Sequence, residues 1–187
     1  MRWIHSLSAV VLVSLLAFSL SVRADDNDSS SYPAKHAHKL HSKSFVDFPD
    51  RIPQKIDGYG ENAIVVYPHV HAWGAYDAEG NLVRAGEATA GSSWCRDTHR
   101  PCRTKVGSFR IETLGSHGCK SSIYPLPRGG APMPYCMFFN HNQALHGSYE
   151  VVDGNASHGC VRLHVEDAKW IRYNFATIGT KVVIKPY

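Results

Sequence analysis

The run Ser157-His158-Gly159-Cys160-Val161-Arg162, with His146-Gly147 a short way upstream, gathers a thiol, two imidazoles and a glycine turn in one segment. A cysteine is partly thiolate near neutrality, so a positioned base that takes its proton makes it an acyl-transfer nucleophile. Gly159 lets the backbone approach a reacting carbonyl and leaves amide N–H groups to face a developing oxyanion. Taken singly, a cysteine is more often a buried small hydrophobe or half of a disulfide. A lone histidine is more often a satisfied surface or core residue. The combination in so short a stretch is what points to nucleophilic chemistry.

These residues resemble the L,D-transpeptidases of the YkuD type, which cross-link peptidoglycan. The resemblance is carried by His146-Gly147-Ser148 followed by the Ser-His-Gly-Cys run and Val161-Arg162. Thr104-Lys105-Val106-Gly107-Ser108-Phe109-Arg110-Ile111 is similar to the family's Thr-Pro-x-Gly-x-Phe strand. Pro132-Met133-Pro134-Tyr135 is similar to the segment before its His-Gly, and Gly179-Thr180-Lys181-Val182-Val183-Ile184 to its closing strand. Together these pieces span about residues 60–187 in the family's order. Two departures stand out: Lys105 replaces the usual proline, and the loop 149–156 is short for the family.

The resemblance implies a two-step acyl transfer on peptidoglycan stem peptides. His146 would take the proton of Cys160, with the Gly147 carbonyl orienting the ring as a third side chain does in other triads. Amides around Gly159 and Cys160 would form the oxyanion hole. The sulfur would attack the amide between diaminopimelate and the terminal D-Ala of a donor tetrapeptide. D-Ala would leave, and an amine would attack the thioester. His158 is expected to shape the turn and its electrostatics. Arg162 is a candidate fork for a stem carboxylate, and Tyr135 and Ser157 are candidates to line the same cleft. No cofactor and no metal are expected. The acceptor amine stays open: another stem, a free D-amino acid, or a protein lysine. Water as acceptor would make an L,D-carboxypeptidase of the same site. A papain-like or NlpC-type peptidase is disfavoured because its nucleophile normally precedes its histidine. A non-catalytic, disulfide-stapled wall-binding module is a third reading, and it needs no reactive thiol.

The tetrapeptide occurs twice. Ser116-His117-Gly118-Cys119 has no His-Gly pair before it, and a Pro- and Gly-rich loop follows it. The first copy is therefore read as structural. Five cysteines in an exported chain leave one unpaired. With Cys160 kept reduced, Cys95, Cys102, Cys119 and Cys136 permit three pairings. Cys95 and Cys102 close a local loop, so Cys95–Cys102 with Cys119–Cys136 is the favoured scheme. Free thiols throughout would require a reducing compartment, against which the N-terminus argues.

That N-terminus reads as a signal peptide over residues 1–24. Arg2 supplies the positive start, an apolar run follows, and Val22 and Ala24 fit the small-residue cleavage rule. The apolar run is short for a membrane span, and no other segment could cross a membrane. Export to a periplasm or cell wall follows. The net charge is +4, and Arg2 and Arg23 would take two of those charges with the signal. Such a balance, without a clustered basic face, does not argue for nucleic acid. Oligomeric state is not legible.

The elements that must position this chemistry come next. Residues 25–59 form a polar spacer whose His36, His38 and His41 are better read as filler than as metal ligands. From Ala63 short β-type runs begin, at 63–67 and 69–76, with a turn at 77–81 before a strand at 82–90. His69 and His71 would share a strand face, but a third ligand is missing and strand surface is the better reading. Glu166 and Asp167 open the one clear helix, on the favourable end of its dipole, with Ala168, Ile171 and Phe175 facing the core. The residues thus give a mostly β fold with one principal helix near the C-terminus. The resemblance implies the family's β-sandwich with a catalytic cleft, over residues 60–187.

Overall fold

Ala63-Ile64-Val65-Val66-Tyr67 is apolar at every position, which suits a strand covered on both faces. In the computed structural model, which describes residues 50–187, it is strand β1, Ala63–Tyr67, buried throughout. The signal segment 1–24 and the spacer histidines His36, His38 and His41 lie outside the described residues. Eight further strands follow: β2 Ala72–Tyr76, β3 Leu82–Thr89, β4 Gly107–Arg110, β5 Thr113–Leu114, β6 Met137–Asn140, β7 Gln143–Ser148, β8 Val161–His164 and β9 Lys181–Ile184. Helix α1, Val165–Trp170, continues into a π-helical turn, Ile171–Phe175.

All nine strands form one sheet in the order β4-β9-β1-β2-β3-β8-β7-β6-β5. The sheet curls so that its halves face each other, with Phe109 of β4 against Phe139 of β6 at 5.5 Å between ring centroids. The central core fills the space between, with Ile64, Val66 and Trp73 from one half and Met137, Leu145 and Leu163 from the other. Ala168 and Ile171 add the buried face of α1 and the turn after it. The other face of β1 packs Val65 and Tyr67 against Ile52, Tyr76 and Ala85. The fold is mostly β with one helix near the C-terminus.

Two of the pairings are parallel, β1 with β9 and β7 with β8. Parallel neighbours need a crossover connection of about a dozen residues or more. Here the connection between β7 and β8 is residues 149–160, which carries the Ser-His-Gly-Cys turn.

One expected element differs. The strand beginning at residue 69 begins instead at Ala72, because Pro68–Val70 form a 3-10 turn closed by His71 in a left-handed conformation (φ 53°). Pro68 lacks an N–H for a ladder and its fixed φ suits the start of a helical turn. His69 and His71 therefore share no strand face. His71 donates instead to Asp153 Oδ1, at 2.9 Å.

Candidate active site

In β7 Leu145 turns to the core, so by the strand period Ala144, His146 and Ser148 turn the other way. The parallel register sets Leu145 opposite Val161 and His146 opposite Arg162. Cys160, immediately before β8, thus falls on the same side as Arg162 and His146. All three line a cleft of about 480 Å3. Gly147 is required by close approach. A Cβ there would lie 3.1 Å from the Pro134 carbonyl and 3.1 Å from the Val165 backbone.

His146 is 6% exposed. Its Nδ1 donates to the Gly147 carbonyl at 2.8 Å, which leaves Nε2 as the nitrogen able to accept a proton. Burial pushes the imidazole pKa down to about 4, the Gly147 bond opposing and the Arg162 charge reinforcing the shift. The Cys160 thiol is half-buried and donates to the Asn142 carbonyl at 3.5 Å. Burial pushes its pKa up, while the Ala144 backbone and Arg162 pull it down. Thiol and imidazole both rest neutral near pH 7.

The turn that carries Cys160 is built by Ser157. Its hydroxyl bonds the Cys160 carbonyl and accepts from the Gly159 amide at 3.1 Å. Ser157 also pairs with the strand end before the Cys95 loop, giving its N–H to Ala90 and accepting from Ser92. Ser157 touches the cleft, but its hydroxyl is committed inside the turn rather than offered to a ligand. Gly159 has φ 120°, a region closed to most side chains, and its amide is likewise spent on Ser157. The Gly159 amide, expected to face an oxyanion, thus faces the Ser157 hydroxyl in this structure.

His158 donates through Nε2 to Asp97 Oδ2 at 2.7 Å and packs on Tyr124 at 4.3 Å between centroids. The same bond holds the Asp97 carboxyl below the usual carboxylate range. Arg162 meets Glu150, and both line the cleft. Tyr135 does not. It is 8% exposed and belongs to the central core, its ring between His117 and Tyr173. The local reason is a left-handed backbone at Tyr135 (φ 59°), which turns the ring inward while the adjoining Pro134 carbonyl accepts from Gly147.

Cys95 is bridged to Cys102 and Cys119 to Cys136, leaving Cys160 as the free thiol. The first Ser-His-Gly-Cys copy therefore ends in a bridged sulfur. Cys95, Asp97 and His158 group donor atoms within 4.8 Å, but the Cys95 sulfur is bound to Cys102 and is no thiolate ligand.

Sequence reasoning missed Glu150 beside Arg162, and also Asp97 and Gln143. Asp97 gave no signal beyond its place inside the Cys95–Cys102 loop. Gln143 accepts from the Lys105 amide at 3.1 Å and donates to the Arg103 carbonyl at 3.3 Å, tying the segment after that loop to the cleft. A proline at 105, usual in the resembled family, has no N–H for this bond. The departure at Lys105 is the one clue that was available.

Residues 61–184 match the YkuD family, the L,D-transpeptidase catalytic domain. The chain belongs to this family. No curated protein matches the chain. Among solved structures, an L,D-transpeptidase from Xylanimonas cellulosilytica is similar with TM-score 0.59 and 21% identity, over 70% of this chain and 63% of that one. One from Mycobacterium smegmatis gives 0.54 and 19%, over 67% and 59%. L,D-transpeptidase 3 from Mycobacterium tuberculosis, in complex with a faropenem-derived adduct, gives 0.54 and 20%, over 67% and 60%. This chain spans less than two thirds of each, and at these identities the likeness is one of fold. Two disulfides fit an oxidising compartment, as does a family that acts on the cell wall. Among the described residues no helix is long and apolar enough to cross a membrane.

Proposed function

We propose that this YkuD-family chain is a peptidoglycan L,D-transpeptidase that works through a Cys160 acyl-enzyme. The observation that carries the reading is the meeting of the unbridged thiol with a buried imidazole in one cleft, Nε2 of that imidazole being the proton-accepting nitrogen. Because both groups are neutral at rest, the thiol proton passes to His146 Nε2 as sulfur attacks the donor carbonyl. The oxyanion meets the Cys160 amide. His146 then returns the proton to the departing D-Ala amine. An acceptor amine attacks the thioester, giving up a proton to His146 Nε2, which passes it to the Cys160 sulfur as the S–C bond breaks. Arg162 holds a donor carboxylate. Residues 1–24 act as the export signal, 25–59 as a spacer, and 60–187 as the catalytic domain.

The test is incubation of the exported protein with a defined stem tetrapeptide, with and without an acceptor stem, and mass analysis of products. D-Ala release with a joined product supports transpeptidation. Release of D-Ala to water alone makes the chain a carboxypeptidase. Absence of both D-Ala release and a Cys160 thioester overturns the reading. Since one relative is described with a faropenem-derived adduct, the same drug class should label Cys160 and leave Cys119 unlabelled.

A further inference from the structure

Arg162 faces His146 across the β7–β8 pair, and its guanidinium meets Glu150 twice. Nη1 lies 3.3 Å from a Glu150 carboxylate oxygen and 3.4 Å from the Glu150 carbonyl. Glu150 is 78% exposed and Arg162 only 22%. A water-exposed carboxylate on a half-buried guanidinium is a weakly held partner. Glu150 is also the one acid among the residues that line the cleft, beside the cations Arg100, Lys120 and Arg162.

The backbone of this loop is held by several bonds, whereas the Glu150 carboxylate meets Arg162 at the protein surface. The Glu150 amide donates to Ser148 Oγ, Val152 is held at both N–H and carbonyl by the Thr89 hydroxyl, and Asp153 is held by His71 and Arg51. Moving the Glu150 carboxylate off Arg162 therefore takes a side-chain rotation and no loop opening. An incoming carboxylate can take its place with the charge balance unchanged, whereas a neutral amide would leave Arg162 without an anionic partner.

We propose that Arg162 makes the cleft prefer acyl donors bearing a free carboxylate over the corresponding amides, and that Glu150 is a displaceable placeholder on Arg162 that competes with such donors and so tempers that preference. This deepens the acyl-transfer reading above and rests on it for the choice of donor, but its first test does not. Cys160 is the single unbridged cysteine, so alkylation of the full chain reports on one thiol. Iodoacetate and iodoacetamide form the same S–C bond with loss of iodide, the thiol proton passing to His146 or buffer. They differ in carrying a carboxylate or an amide.

Glu150→Gln should raise the iodoacetate-to-iodoacetamide rate ratio at Cys160 about threefold, the scale of a half-exposed ion pair. Glu79→Gln removes an exposed acid from the β2–β3 turn, outside the cleft, and should leave the ratio unchanged. An unchanged ratio in Glu150→Gln, or an equal rise in both variants, overturns the proposal. A second arm compares a donor tetrapeptide carrying the free diaminopimelate side-chain carboxylate with its amide. Glu150→Gln should lower KM for the acid about threefold with kcat held. An equal fall for both peptides overturns the proposal. If the wild type turns over neither peptide, the transpeptidase reading fails, while the alkylation ratio still decides the role of Glu150.

Discussion

His146 ties stability to pH through a group that the fold keeps neutral. The unfolded chain takes up a proton here below about 6.5, whereas the folded chain resists until about 4. Stability is therefore whole above pH 6.5 and falls as pH drops toward 4. Urea unfolding at pH 7.5 and 4.5 should show about 2–3 kcal/mol of this loss in the wild type and its removal in His146→Asn. The same depression should move the acid limb of Cys160 acylation well below 6.5. Cys160→Ser should abolish turnover, since a hydroxyl at a neutral imidazole is a far weaker nucleophile. His146→Ala should slow acylation by about 10²–10⁴, read by single-turnover mass analysis.

The turn that carries Cys160 depends on its own internal bonds. Ser157→Ala would leave the buried Gly159 amide without its acceptor and should cost about 1–3 kcal/mol in urea unfolding. Gly159→Ala would place a Cβ at φ 120° and 3.2 Å from Gln143 Nε2, a backbone region that L side chains rarely occupy. It should cost about 1–3 kcal/mol and slow Cys160 alkylation, which reads the position of the thiol directly. The parallel β7–β8 pair supplies the rest of the geometry. A strand period of two puts His146 and Arg162 on the cleft side while Leu145, Val161 and Leu163 anchor the pair in the core.

At the scale of the whole molecule the two disulfides hold different things. Cys119–Cys136 closes the loop that passes Lys120, Tyr124 and Pro132 along the cleft, and Cys95–Cys102 closes the loop that carries Asp97 to His158. Replacing either pair by serines should cost roughly 2–4 kcal/mol in unfolding free energy. Only the Cys95→Ser/Cys102→Ser variant should also slow Cys160 alkylation, because Asp97 inside that loop bonds His158 and Ala90 and Ser92 just before it bond Ser157. Equal alkylation rates in the two double variants would refute this division of labour.

Family, mostly β architecture and the C-terminal helix were legible in the sequence because each rests on local order. Apolar β-branched runs make β1, a Gly-containing turn ends β2, and Glu166 and Asp167 open a helix whose apolar residues recur at helical spacing. Pro68 overrode the β-type run at its start, a local effect outweighed in the reading by the aromatic residues that follow. What only the tertiary structure decided are contacts between residues far apart in the chain. Asp97 meets His158, Gln143 meets Lys105, Glu150 meets Arg162, and Tyr135 turns inward to Tyr173. Each is set by how the sheet curls and which loop it brings to the cleft, and no local periodicity or motif encodes a partner a dozen to some sixty residues away.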